Sequence, residues 1–551
     1  MLELDRVGIY DNFFELGGDS LTSMRLISRA REKGIDLAVN DVFEAPTIAE
    51  LVRRVGRSGE IRAEQGVLEG PVEPTPIQKR FLERDLSSPA QQWGVRKWGW
   101  PVDLEFEAFE RVVRELLRHH DALRLRFRRA NNGWEAYYAQ RGDQAPVWSV
   151  ESSSLEDVDW GEVVGEMAED FDLQKGPLIQ FAYLDGEEAA PDQIVCLNHF
   201  LVADALSLNI IRRDLVRACE QVVEQRPIEL GDKTTSLRQW SHRLGELADS
   251  EEADNVASWW HERGYPTAST DVPLDANATE EANRKKTAQL EEFHFELDGT
   301  EGLQQAPREA YGLELQETLL AGLGKVLAEW TGQRRVLVNV REHGREEAVI
   351  EGADLSKTVG WLVNLCPVLL RVGKGEWPHQ TLVETKEELR KQPFQGLGYG
   401  IMRYLSDNPE IQEELSDIPT PRVFLNNLGT LSGEGEGRFA TETEGMGLEK
   451  RLEVPEKAGG LRRDASLEIF VYRRNGRMVF LWEYSTALHE QETIERLGRE
   501  YLEALRQIAS GCEQINQRIY TPSDFQLVDV DWEALERVGQ NIADTTRPSR
   551  G

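Results

Sequence analysis

The sequence predicts an α+β protein that begins with a small helical unit. Apolar residues between Ser20 and Gly34 recur every three or four positions, which is the period of an α-helix. A second helical pattern follows Pro46. From Val72 onward, helical patterns alternate with short runs typical of β-strands, and that mixture favours sheets covered by helices. The clearest runs are 193–197, 336–340 and 478–482.

Composition bounds the class of protein. A chain of 551 residues with 40% hydrophobic residues is long enough for three or four domains, or for one two-lobed unit with an appendage. There are 64 Lys and Arg against 98 Asp and Glu, a net charge of −34. Duplex nucleic acids and anionic membrane surfaces attract basic proteins, so we expect no nucleic-acid partner and no membrane partner.

The cysteines and the N-terminus indicate a cytoplasmic protein. The four cysteines lie far apart and show no CxxC spacing, which argues against a disulfide scaffold and against a zinc knuckle. We therefore predict a reducing compartment and no metal. The N-terminal residues lack the pattern of a signal peptide, and no run approaches the ~20 apolar residues of a membrane span.

The chain divides by composition into successive parts. Residues 1–56 form the compact helical unit, and 57–71 are polar and glycine-containing, which is typical of a linker. The mixed α and β region runs from residue 72 to about 530, and 531–551 are predicted to be a tail.

The first chemical motif is a serine at the start of the first predicted helix. Residues 17–21 read GGDSL, so Ser20 would present its hydroxyl beside unpaired backbone N–H groups, and the glycines would let another molecule approach. Residues 7–21 read VGIYDNFFELGGDSL, and residues 41–51 read DVFEAPTIAEL. Both stretches resemble the peptidyl carrier domains of nonribosomal peptide synthetases.

The resemblance implies a covalent cofactor. Ser20 would carry 4′-phosphopantetheine, flanked by Gly18, Asp19 and Leu21, and would hold an aminoacyl or peptidyl thioester. The implied partners are a phosphopantetheinyl transferase and an upstream adenylation domain. Such carriers begin with a helix well before this point, so we expect that the carrier is truncated and that its first helix is missing.

The GDSL block also matches the nucleophile of a family of serine esterases. Those enzymes need an Asp-x-x-His near the C-terminus to supply the base. None of the nine histidines has an aspartate three residues before it, which disfavours the esterase interpretation.

The region from residue 72 to 530 resembles the condensation-domain superfamily, and specifically its epimerisation branch. The motifs occur in order: PTPIQ at 74–78, HHDALRLRF at 119–127, EHGRE at 342–346, TVGW at 358–361, GYG at 398–400, NNLG at 426–429 and YTPSDF at 520–525. The resemblance implies two lobes with the chloramphenicol-acetyltransferase fold, separated by a tunnel for the pantetheine arm. We predict an N-terminal lobe at 72–250 and a C-terminal lobe at 251–530.

The pair His119 and His120 could suggest a catalytic or metal site. In the family this block is structural, and adjacent residues on a helix do not share a face. We therefore expect a structural role for both.

Epimerisation needs two protonatable groups on opposite sides of the substrate Cα. In the family these are the second histidine of HHxxxDG and the first glutamate of EGHGRE. Here residues 198–205 read NHFLVADA, and Asp204 aligns His199 with the first histidine and Phe200 with the second. In the other block, Arg341 takes the glutamate position and Glu342 the glycine position. A phenyl ring moves no protons, and a guanidinium cannot serve as a base.

Three hypotheses follow. In the first, the domain binds the loaded carrier, no longer epimerises, and presents the carrier to a downstream module or a trans-acting tailoring enzyme, as one domain of glycopeptide synthetases does with oxygenases. In the second, it is an active epimerase in which His199 or Glu342 replaces the lost base and Arg341 stabilises the enolate. In the third, the fold has acquired another reaction.

Two structural expectations accompany these hypotheses. We expect His199 to be a satisfied structural histidine and Asp204 to have a basic partner, because a buried carboxylate without one is costly. A simpler role for Phe200 is to fill core space.

Overall fold

The structure is a computed structural model of the chain. It describes residues 6–525 except for short runs and single positions, which are 15, 17, 19–21, 24–25, 28, 31–32, 34, 36, 38–40, 43–44, 55–61, 85, 87, 101–103, 132, 141–144, 152–157, 186–191, 276–278, 296–300, 374, 376, 431–461 and 475–476. Within these described ranges, we find no helix with the length and apolarity needed to cross a membrane.

The described part of the N-terminal unit has its own small core. Its buried residues are Phe13, Phe14, Ile27, Leu37, Val42, Ala45 and Leu51. Helix α1 (Ile48–Leu51) begins after Thr47, whose hydroxyl accepts a hydrogen bond from the Glu50 backbone N–H at 3.3 Å. The predicted first helix is confirmed where the structure describes it, because Thr22, Ser23 and Ile27 are helical.

The remaining described elements begin near residue 70. The further helices are α2 (Pro76–Glu83), α3 (Phe106–His119), α4 (Trp160–Glu169), α5 (Ala205–Val223), α6 (Leu237–Ala248), α7 (Glu251–Val256), α8 (Trp259–Glu262), α9 (Glu301–Tyr311), α10 (Leu315–Thr331), α11 (His379–Arg390), α12 (Gly398–Leu405), α13 (Pro409–Ser416) and α14 (Gln491–Glu513). The strands are β1 (Gly70–Val72), β2 (Trp93–Trp100), β3 (Leu125–Ala130), β4 (Gly133–Tyr138), β5 (Val147–Glu151), β6 (Ile179–Asp185), β7 (Asp192–His199), β8 (Ala288–Phe295), β9 (Arg335–Glu342), β10 (Asn364–Arg371), β11 (Val423–Thr430), β12 (Leu467–Arg474) and β13 (Arg477–Ser485).

The strands form three sheets that follow the order of the chain. Strands β1–β7 make a sheet of order β1-β4-β3 and another of order β2-β7-β6-β5. Strands β8–β13 make one six-stranded sheet of order β10-β9-β11-β12-β13-β8. The three strand-like runs of the sequence lie in β7, β9 and β13, so those predictions are confirmed. Helices and mixed sheets together confirm the α+β class.

The core of the N-terminal lobe receives residues from the second half of the chain. Leu355, Leu362, Leu397 and Ile401 are each at most 5% exposed and belong to the same hydrophobic cluster as Trp240 of α6. Helix α12 therefore completes the core of the N-terminal lobe, although its sequence lies far beyond residue 250. The C-terminal lobe has a separate core between its sheet and helices α10 and α14.

Candidate functional site

His199 ends strand β7 and is fully buried. Its Nδ1 accepts a hydrogen bond from the Leu201 backbone N–H at 3.1 Å, which leaves the proton on Nε2, and Nε2 donates to the Pro89 carbonyl at 2.9 Å. Burial lowers the pKa of His199 to about 4, so the ring is neutral at pH 7. Both ring nitrogens are engaged, as expected for a structural histidine.

Phe200 is not part of the core. Its side chain is 37% exposed, and its ring lies 6.2 Å from the ring of Trp361, which comes from the second half of the chain. The Phe200 backbone N–H donates to the Gln92 carbonyl at 3.1 Å, which holds the ring at the end of β7. The expectation that Phe200 fills core space is wrong, because the ring faces the junction of the lobes.

Asp204 begins helix α5 and has the basic partner that the sequence leads us to expect. Its carboxylate caps the helix by accepting from the Ser207 backbone N–H at 2.8 Å. The Arg345 guanidinium donates to both carboxylate oxygens, at 2.9 and 3.0 Å. The Leu362 backbone N–H donates to the same carboxylate at 3.1 Å. The two family motifs are thus joined by one buried ion pair.

Gly344 makes the turn that brings Arg345 to Asp204. Its φ is +66°, and a Cβ at this position would collide with the Leu362 carbonyl. Glycine is therefore required here.

Arg341 lies near the end of β9, on the strand face opposite Val336, Val338 and Val340 of the C-terminal core. Its side chain is 33% exposed, and Nη1 lies 2.9 Å from Oε1 of Glu468 on β12. The guanidinium also lies 5.9 Å from the Phe424 ring on β11, between the two charged residues. The residue at the expected glutamate position is therefore a cation with its own carboxylate.

Glu342 points to the other face of β9. Its Oε2 accepts from Asn364 Nδ2 at 3.4 Å, and burial raises its pKa to about 7. Burial, with the charges of Glu342 and Glu347, raises the pKa of Glu346 to about 8. His343 accepts from the Arg345 backbone N–H at 2.9 Å, and burial lowers its pKa to about 4.

Further contacts join the lobes around this site. Lys285 Nζ donates to Gln92 Oε1 at 3.2 Å, and the Thr75 hydroxyl donates to the Trp361 carbonyl at 3.0 Å. Arg84 Nη1 donates to Asp464 at 2.9 Å. The junction is consequently built from polar contacts on both sides of Phe200.

The His119–His120 pair is closer than the sequence suggests. Helix α3 ends at His119, and His120 leaves it with φ −96° and ψ 91°, so the two ring centroids lie 4.8 Å apart. His120 Nε2 lies 2.9 Å from Asp214 Oδ2, and ligand atoms of all three residues fall within 4.8 Å of one another. The premise that the two histidines cannot meet is wrong, because it assumes a continuous helix. The charges of Lys233 and Lys357 also reach His119, which disfavours a cation there.

The predicted attachment site is only partly described. Ser20, Asp19 and Leu21 lie outside the described residues. Gly18 is buried, and a Cβ there would collide with the Phe13 ring, so this glycine allows packing of its own core. Thr22 and Ser23 are helical, and these neighbours fit a serine-borne phosphopantetheine near a helix start.

Several residues of the site were not identified from sequence. Glu468 carries no local motif, and Asn364 lies outside every quoted block. Trp361 belongs to the TVGW block, but nothing in that block indicates a contact with Phe200. These side chains meet only through the tertiary fold.

Comparison with known proteins agrees with this geometry. Residues 72–529 match the condensation domain family, and residues 1–55 match the phosphopantetheine attachment site. A linear gramicidin synthase protein of Brevibacillus parabrevis is 34% identical over 96% of this chain, and surfactin synthase subunit 1 of Bacillus subtilis is 30% identical over 98%. The chain spans only 7% and 15% of those two relatives.

Solved structures show the same fold. The epimerization domain from the third module of tyrocidine synthetase B matches 82% of this chain and 99% of its own, with a TM-score of 0.71 and 26% identity. The X-domain of teicoplanin biosynthesis, in its complex with OxyB, has a TM-score of 0.60 at 18% identity, covers 84% of this chain and 99% of its own, and shares the fold. A carrier region with its covalent 4′-phosphopantetheine, followed by an epimerisation-like two-lobed domain, places this chain in the condensation-domain family of nonribosomal peptide synthetases.

Proposed function

We propose that this chain holds an aminoacyl or peptidyl thioester on a phosphopantetheine arm at Ser20, and that its condensation-type domain binds the loaded carrier without two-base epimerisation. The proposed division is a carrier at 1–56, a linker at 57–71, and lobes at 72–250 and 251–530. An upstream adenylation domain would supply the amino acid, and a phosphopantetheinyl transferase the arm.

One observation carries the proposal: neither expected proton-transfer position holds a group that can act as a base. Phe200 and Arg341 occupy those positions, and Arg341 lies beside Glu468. His199 offers no simple replacement, because both of its ring nitrogens are hydrogen-bonded within the core. General acid–base groups contribute ~10²–10⁴-fold each, so the loss of both removes most of the catalysis.

The test is deuterium uptake at the substrate Cα. The chain, within a module that supplies a complete carrier, is loaded with an L-aminoacyl group and placed in deuterated buffer. We expect uptake no faster than in a module whose condensation-type domain is deleted. Fast uptake with formation of D-product would overturn the proposal.

A restored variant sharpens this test. Arg341→Glu alone would set a new carboxylate beside Glu468, and like charges there would repel. The useful variant is therefore Phe200→His with Arg341→Glu and Glu468→Gln. The matched control is Phe200→His with Glu468→Gln, which lacks the second base. Uptake in the triple variant alone would assign the loss of activity to these positions.

A second candidate is an active epimerase that uses Glu342. The observation that favours it is the raised pKa of Glu342, about 7, which suits a proton-transfer group at neutral pH. If deuterium uptake is fast, Glu342→Gln should abolish it, whereas Glu135→Gln, an exposed carboxylate far along the chain, should not.

We further infer that a trans-acting enzyme or downstream module receives the bound carrier, since binding without chemistry serves a later step. The described cysteines are free and buried, which supports a reducing, cytoplasmic location. Retention of the loaded chain by a tailoring enzyme from the same biosynthetic cluster, with loss on removal of residues 72–530, would test the platform role.

A further inference from the structure

We propose that residues 62–69 form a strap fixed to the N-terminal lobe, so that the carrier is tethered at the start of helix α6 and delivers its arm to the domain of its own chain. This inference concerns how the carrier is held, and it stands whether or not the domain epimerises.

The strap begins at a clasp on the first turn of α6. Glu64 accepts from the Ser236 hydroxyl at 2.6 Å and forms an ion pair with Arg238. The Glu64 backbone N–H donates to Gln239 Oε1 at 3.3 Å, and Gln239 Nε2 donates to the Arg62 carbonyl at 3.0 Å. Side chain and backbone are therefore both held, which a passing contact would not achieve.

The next residue is paired in both directions. Gln65 Nε2 donates to the Lys233 carbonyl at 2.9 Å, and the Lys233 backbone N–H donates to Gln65 Oε1 at 3.0 Å. Lys233 Nζ in turn lies 2.6 Å from Asp121 Oδ2. The clasp is thereby continuous with a buried charge cluster.

That cluster grips the backbone at Leu68. The Leu68 N–H donates to Asp121 Oδ1 at 2.9 Å, and the Leu68 carbonyl accepts from Arg124 Nη2 at 2.9 Å. The Leu68 side chain is 8% exposed and lies in the core of the N-terminal lobe. Asp121 and Arg124 belong to the HHDALRLRF block, so part of that motif serves to anchor the incoming chain.

A fixed strap limits where the carrier can go. Arg54 is the last described residue of the carrier, and eight residue steps separate it from Arg62. At ~3.6 Å per residue the carrier's end stays within about 29 Å of the clasp. With the strap released as far as Glu69, fifteen steps would allow about 54 Å.

The carrier already contacts the same chain. The Arg308 guanidinium of α9 lies 5.2 Å from the ring of Phe14 in the carrier core. A short tether and a contact in cis both raise the local concentration of the carrier at its own domain.

The test compares backbone exchange and carrier distance in the full chain. The release variant is Glu64→Ala with Gln65→Ala. The control is Arg243→Ala with Glu246→Ala, an exposed ion pair on the same helix that does not contact the strap. Hydrogen exchange reports the Glu64-region and Leu68 amides, and a pair of spin labels, on the carrier and on α6, reports the distance.

In the native chain and the control we expect protected strap amides and label distances that stay within the short tether. In the release variant, exchange at residues 62–69 should rise about tenfold, since each lost hydrogen bond contributes about 1 kcal/mol, and distances beyond 29 Å from the clasp should be populated. Free exchange of the strap in the native chain, or equal distance distributions in both variants, would overturn the proposal.

Discussion

At the scale of single residues, the Asp204–Arg345 pair is the main link between the two family motifs. Each side chain is 3% exposed, and the pair is bidentate. Removal of one partner leaves a buried charge without compensation, which costs far more than the loss of an exposed pair. The basic partner could be predicted from sequence as a necessity, but its identity depends on the turn at Gly344.

Arg345→Met should lower the free energy of unfolding by about 3–5 kcal/mol, because Asp204 then stays buried and unpaired. Urea denaturation measures this. Arg128→Ala, which breaks an ion pair whose side chains are 60% and 51% exposed, should change it by no more than about 1 kcal/mol. Similar effects of the two substitutions would contradict the assigned role of the buried pair.

Glu346 gives a pH dependence of known sign. Its pKa is raised from 4.5 to about 8, so its protonated form stabilises the fold below pH 4.5, and that stabilisation is lost as the pH rises through 8. Glu346→Gln should therefore gain stability relative to the native chain between pH 5 and pH 8. Unfolding at both pH values measures the difference, and an unchanged difference would refute the raised pKa.

At the scale of elements, strand β9 separates two chemistries. Arg341 and Glu342 are neighbours in sequence and lie on opposite faces, since side chains alternate along a strand. The strand itself is predictable from the VLVNV run. The Arg341–Glu468 pair is not, because β9 and β12 are neighbours of β11 rather than of each other, and only the sheet order brings the two side chains together.

Arg341→Glu should destabilise the C-terminal lobe, and addition of Glu468→Gln should restore most of the loss. The reason is that the first change places two carboxylates together and the second removes one of them. Thermal unfolding of both variants measures the effect, expected at about 1–3 kcal/mol for the single change. An additive loss in the double variant would contradict direct pairing.

At the scale of the whole molecule, the two lobes share more than a surface. Leu355, Leu397 and Ile401 lie in the core of the N-terminal lobe, together with Trp240. Motif order predicted the fold, the carrier and the two-lobed domain. It could not predict this exchange, because periodicity shows which face of a helix is apolar and not which lobe that face will cover.

Residues 62–250 expressed alone should not reach a native state, because α12 and the neighbouring loop are missing from their core. We expect broad, non-cooperative unfolding by circular dichroism and weak amide protection, with residues 62–525 as the control. Cooperative unfolding of the fragment would show that the N-terminal lobe folds independently.

The most direct measurement of lost epimerisation is the initial rate of deuterium uptake at Cα in the loaded chain. We predict the background rate for the native sequence, and a faster rate for Phe200→His with Arg341→Glu and Glu468→Gln. Rapid uptake in the native chain, abolished by Glu342→Gln, would contradict that prediction and establish a relocated base.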